Sequence, residues 1–182
     1  MLAMTSAVLG LPMFLLSLQF EGRHDDVARM VQLVLQGLGT FIFVALTALF
    51  RGFLARNCIF RKADAIILCL IILNLVYAAT SSAGLFFPKI AEQLQPILAA
   101  LVVLLGIAQA GLGVRLFALQ NELHGMKRPY GWLNVITGIC LISLVLIPVG
   151  IMASAVADVM LGTIFFQEAK RLSLSRGTDI HV

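Results

Sequence analysis

Apolar residues fall into five long runs along this chain, 2–20, 30–50, 65–87, 97–120 and 132–166, separated by short polar segments. A helix rises ~1.5 Å per residue and bilayer hydrocarbon is about 30 Å thick, so ~20 apolar residues cross it. The first four runs have that length. None shows the period-two alternation of membrane-barrel strands, and each therefore predicts a helix whose backbone groups are satisfied within its own segment.

The last run is too long for one crossing, since as a single helix it would reach roughly 50 Å. Pro148 and Gly150 sit at its middle, where proline ends a helix and glycine accepts a tight turn. The expected fold is an all-α polytopic membrane protein with six transmembrane helices as three serial hairpins, or five helices if the last run is unbroken. The spans are expected at 2–20, 30–50, 65–87, 97–120, 132–147 and 150–167, inside one transmembrane domain over 1–172, with a cytoplasmic tail at 173–182. Residues 2–20 lack a basic leader and a small-x-small cleavage site, so they are expected to stay as a first span, bent at Pro12. Pro96 is expected in the first turn of the fourth span and Pro88 at the close of the third.

Composition agrees with this pattern. Of 182 residues, 60% are hydrophobic and 12% charged, with a mean hydropathy of +1.01, more apolar surface than a water-soluble fold can hide. The net charge of +4 does not imply a nucleic-acid partner, because the basic residues lie between apolar runs and serve orientation. Arg51, Arg56, Arg61, Lys62, Arg115, Lys127, Arg128, Lys170, Arg171 and Arg176 occupy alternate loops and the tail. Only Arg23, Arg29 and Lys89 lie on the other side, offset by Glu21, Asp25, Asp26 and Glu92. The positive-inside rule then puts both ends in the cytoplasm and favours an even number of spans. Short loops and small size point to a bacterial inner membrane.

A faint echo runs through the chain. "LGTFIF" at 38–43, "LGVRLF" at 112–117 and "LGTIFF" at 161–166 recur at similar depth in three spans, as a triplicated hairpin would require.

Chemistry concentrates at Asp158, a lone acid inside an apolar stretch. A carboxylate near the bilayer centre costs ~2.5–3.5 kcal/mol unless it is protonated, paired or facing water. Gly150, Ser154, Asp158 and Gly162 recur every four residues, which lines them along one helix face of the small-xxx-small type. Gly150, Ser154 and Gly162 are thus a candidate helix-packing face. Asn74 and Gln109 reach comparable depth, so Asp158, Asn74 and Gln109 form a candidate intramembrane polar site.

Lys127, Arg128, Tyr130 and Trp132 read as a basic anchor and aromatic belt, with Arg115, Lys127 and Arg128 expected at lipid headgroups. His24 beside Asp25 and Asp26 does not make a metal site, because adjacent residues do not converge readily on one ion, and either acid serves as a helix N-cap. Cys58, Cys69 and Cys140 form neither a CxxC pair nor a disulfide framework. Hydrolase, metalloprotease and phosphate-loop motifs are missing, so no catalytic residue, cofactor or metal is expected. These features favour a small non-enzymatic scaffold or accessory subunit, packing in the lipid bilayer against further copies or a larger membrane complex. A small transporter or channel with a proton- or cation-coupling carboxylate at Asp158 is the alternative.

Overall fold

A computed structural model describes residues 26–57, 63–119 and 125–178. These residues hold no strand and form five helices: α1 (Asp26–Asn57), α2 (Asp64–Phe86), α3 (Pro88–Phe117), α4 (Lys127–Ile142) and α5 (Ile147–Thr178). Five helices stand where six were expected, and the expected first span, 2–20, lies outside the described residues. Four helical segments, Val27–Arg56, Asp64–Phe86, Ile90–Phe117 and Ile147–Glu168, are long and apolar enough to cross a membrane. Their large side chains point outward in number, as with Phe41, Ile72, Ile107 and Met152, which suits a hydrocarbon solvent and not water. The fourth helix, α4, has 16 residues, or ~24 Å at ~1.5 Å each.

The prolines sit differently from expectation. α3 starts at Pro88, which opens that helix and does not close α2, while Pro96 lies in its interior. Proline at a helix start sacrifices no hydrogen bond, because the first N–H groups have no intrahelical acceptor. Phe87 alone separates α2 from α3, with φ −121° and ψ 78° breaking the helical path.

The final apolar run does divide, but at Ser143–Leu146 and not at Pro148 and Gly150, both of which lie inside α5. Ser143 accounts for the break. Its hydroxyl donates to the Cys140 carbonyl at 2.8 Å and accepts the Leu146 N–H at 3.1 Å, so one side chain serves the end of α4 and the start of α5. Leu144 takes a positive φ of 57° between them, a conformation that strains a residue with a Cβ. The chain then doubles back. A Cβ added to Gly150 would stand 3.0 Å from the Cys140 Cβ and 3.6 Å from the Thr137 carbonyl oxygen, and Asp158 further along α5 lies within electrostatic reach of Tyr130 further back on α4.

Consecutive helices pack side by side, whereas α1 meets α4 and α5 through long side chains only. Most of the apolar core gathers at one end, where Phe50, Leu54, Ile67, Leu116, Tyr130 and Ile164 are buried together. At the same end Arg51 on α1 pairs with Asp64 on α2 at 3.3 Å. Toward the other end of that pair, Gln36 donates to the Ala78 carbonyl at 3.0 Å and accepts from the Ser81 hydroxyl at 3.4 Å.

The closest approach joins α3 to α4, whose pairing crosses the boundary between the expected hairpin units. A Cβ on Gly106 would fall 2.7 Å from the Gly138 carbonyl oxygen, and one on Gly138 would fall 2.5 Å from that of Gly106. One antiparallel step along, a Cβ on Gly113 would meet the Gly131 carbonyl oxygen at 2.6 Å. Without a hydrophobic driving force between helices in lipid, such backbone contact is what supplies packing energy. Gly138→Ala should therefore destabilise the fold by ~1–3 kcal/mol through overpacking. Gly52, with nothing within 4 Å of its position, should tolerate alanine with no loss and up to ~1 kcal/mol of helix-propensity gain. Unfolding of the purified variants in mixed micelles reads both effects.

Candidate functional site

The backbones of α1 and α5 run in the same direction and leave a cleft between them, because every intervening helix reverses the chain. Gly39, Ile42 and Thr47 of α1 line one wall; Ile151, Ser154, Ala155 and Asp158 of α5 line the other. Gln109 of α3 with Tyr130 and Asn134 of α4 forms the back. The cavity has a volume of about 250 Å³. Two edge-to-face ring pairs lie toward the end that carries the core. Phe50 meets Tyr130 with centroids 5.5 Å apart at 71°, and Phe53 meets Phe165 at 5.5 Å and 67°. Gly39 precedes Phe53 by the same number of residues as Ile151 precedes Phe165, so the two walls are level and the ring pair spans the cleft at its foot.

The polar groups at the back are tied together. The Gln109 Nε2 donates to Asn134 Oδ1 at 2.7 Å, and Asn134 Nδ2 donates to the Tyr130 carbonyl at 2.8 Å. Asn134 is buried at 2% exposure, so both halves of its amide need these partners. Its carboxamide is thereby locked, and the Tyr130 side chain it adjoins contacts the Phe50 ring and lies within electrostatic reach of Asp158. The outcome is a carboxylate, a phenol and two amides in one cleft, with the hydroxyl residues Thr47 and Ser154 in its walls.

Two of the three residues expected to share a polar layer, Asp158 and Gln109, do line this one cavity. Asn74 is not among its lining residues; its Oδ1 is buried on α2 with no hydrogen-bond partner among the described residues. Asn134 takes that place. The only amide side chain in the run 132–147, it had a sequence signal in its isolation. Tyr130 was assigned to the membrane boundary with Trp132, yet Tyr130 is 6% exposed and Trp132 58%. The boundary role fits the outer ring, and the inner one belongs to the cleft.

The packing face on α5 serves two ends. Gly150 and Gly162 are buried, whereas Ser154 and Asp158 line the cavity. Lys127 is a correction to the expected headgroup contact: it is 8% exposed, and its Nζ donates to the Leu119 carbonyl at 3.0 Å. It holds a carbonyl just past the C-terminus of α3, where a cation also opposes the helix dipole. Arg115 and Arg128 are exposed. The three echoed segments occupy unlike surroundings, with Gly39 in the cavity wall, Gly113 against Gly131, and Gly162 buried in α5.

Comparisons with family profiles, with curated proteins and with solved structures found no match to this chain. Its chemistry must be read from the cleft itself. The Gln109–Asn134 bond gives a direct check on the back wall. A double-mutant cycle with Gln109→Leu and Asn134→Leu should return a coupling of ~0.6–1.7 kcal/mol, the range of interhelical hydrogen bonds in membranes, measured by unfolding in micelles.

Proposed function

We propose that this chain is a small, non-enzymatic transporter or channel that moves a proton or cation through the cleft between α1 and α5, with Asp158 as the coupling carboxylate. The observation that carries this reading is the convergence of Asp158, Tyr130, Gln109 and Asn134 on one cavity. Ionisable groups inside a bilayer are expensive and tend to mark ion pathways. The cleft supplies the rest of what such a pathway needs: walls from two helices that do not touch backbone to backbone, and a ring-closed foot.

The chain in this reading has six spans, with 2–20 as the first and both ends of the chain on the cytoplasmic side of a bacterial inner membrane. The charge pattern supports that orientation, as ten basic residues lie on one side. The ring-closed end of the cleft then faces the cytoplasm. A scaffold or accessory-subunit role draws less support, because the small face of α5 on which it rested packs against α4 of its own chain at Gly150.

Asp158→Asn in reconstituted vesicles is expected to reduce proton-coupled flux to the level of protein-free vesicles while leaving the elution profile unchanged. Wild-type flux through that variant would remove the carboxylate from the mechanism. Single cysteines at the two termini, labelled in intact cells with a membrane-impermeant maleimide, should both stay unreacted until the membrane is opened; reaction at one end only would require an odd number of spans.

A further inference from the structure

The geometry points to a small organic cation, a protonated amine or quaternary ammonium bearing a short hydrocarbon group, as the ligand of the α1–α5 cleft; this rests on the cation reading above and narrows it. Four features of the cavity select this class. The first is charge: among the described residues that line it, Asp158 is the one acidic residue, and none is Lys, Arg or His. A carboxylate in the wall favours a positively charged occupant over an anion.

The second is wall chemistry. Ile42, Leu46, Leu112 and Ile151 face the same space as Asp158. The oxygens of Thr47, Ser154 and Asp158 are spread over two facing walls of the cleft, whereas a bare inorganic cation needs about six oxygens converging on one point, and Asn134 Oδ1 is already engaged by Gln109 at 2.7 Å. A hydrated ion would bring water against aliphatic side chains. An amphipathic cation has no such mismatch, since its charged end meets the acid and its hydrocarbon meets the wall.

Aromatic placement is the third feature. Phe43, Phe50 and Tyr130 line the cavity, and Tyr130 lies within electrostatic reach of Asp158. A carboxylate beside aromatic rings is the arrangement that binds ammonium groups, through charge pairing and the negative ring faces together. Size is the fourth. At about 250 Å³ the cavity falls below the ~300–1,000 Å³ of pockets for drug-sized ligands, which limits the occupant to one ring or a short chain beside its ammonium group. The ammonium sits at the Asp158 and Tyr130 level, and the hydrocarbon extends along the walls toward Gly39 and Ile151.

The test uses the full chain in nanodiscs with radiolabelled benzyltrimethylammonium as the probe. Saturable binding is expected, displaced by unlabelled probe and not by benzoate. Asp158→Asn should weaken binding at least about tenfold, as removal of one partner of a desolvated charge pair does. Ser154→Phe, which fills the cavity without touching the charge, should abolish binding. Glu92→Gln, exposed on α3 away from the cleft, should leave it unchanged. A measurement on the wild-type chain needs no folded variant: the bound cation should slow modification of Asp158 by dicyclohexylcarbodiimide, read by mass spectrometry, whereas benzoate should not. Absence of saturable binding, or an unchanged rate of carbodiimide modification with the cation present, overturns the ligand class. If Asp158-dependent proton flux persists in that case, the broader transport reading stands; if flux is independent of Asp158, that reading falls by itself.

Discussion

Backbone contact between α3 and α4 is the constraint on which the rest of the molecule depends. Helices in lipid gain nothing from burying leucine against leucine, since the solvent is equally apolar, and their association rests on dispersion at close range. Gly106 against Gly138 and Gly113 against Gly131 permit that range. The two helices form a rigid slab, and both amides at the back of the cleft belong to it, Gln109 from α3 and Asn134 from α4. A slab that moved apart by the width of one methyl group would break their bond. The site inherits its geometry from four residues that have no side chains.

The flanking elements are held less tightly. α2 joins the slab through α3, and α1 is tied to α2 by the Gln36 amide and by the Arg51–Asp64 pair, the latter on the surface and worth only ~0–1 kcal/mol. Against α5, α1 makes side-chain contacts, among them the Phe53–Phe165 ring pair, and no close backbone approach among the described residues. The cleft thus has a fixed back, a firmly docked wall at α5 and a more loosely held wall at α1. A cleft built this way can widen without disturbing the polar groups at its back.

Much of this was legible in the sequence. Run lengths identified the helices, because bilayer thickness leaves few choices, and the excess length of the final run required a break. The lone carboxylate stood out for the same reason, and Gln109 by its depth, and both line the cavity. What could not be read was lateral position. Asn74 and Asn134 are both amides in apolar helices, and only the packing shows that Asn134 faces the cavity while Asn74 does not. The α3–α4 glycines recur every seven residues on both helices, a visible pattern, while the four-residue spacing on α5 marks a face that packs on α4 at Gly150 and lines the cavity at Ser154 and Asp158. Pro148 misplaced the turn because proline is as much at home in the first turn of a helix as beyond the end of one; Ser143, by its hydroxyl, decides which.

That serine turn bears on how the protein reaches its membrane. From Pro129 to Ala157 the chain contains no charged residue, and the tip joining α4 to α5 is built from Leu144, Val145 and Leu146 around a hydroxyl that answers the local backbone. A hairpin of this kind has nothing at its leading edge that prefers water. In the orientation proposed above it would enter the bilayer as one piece from the cytoplasmic side, with no polar loop to be ferried across, and Asp158 would arrive at depth already accompanied by Tyr130.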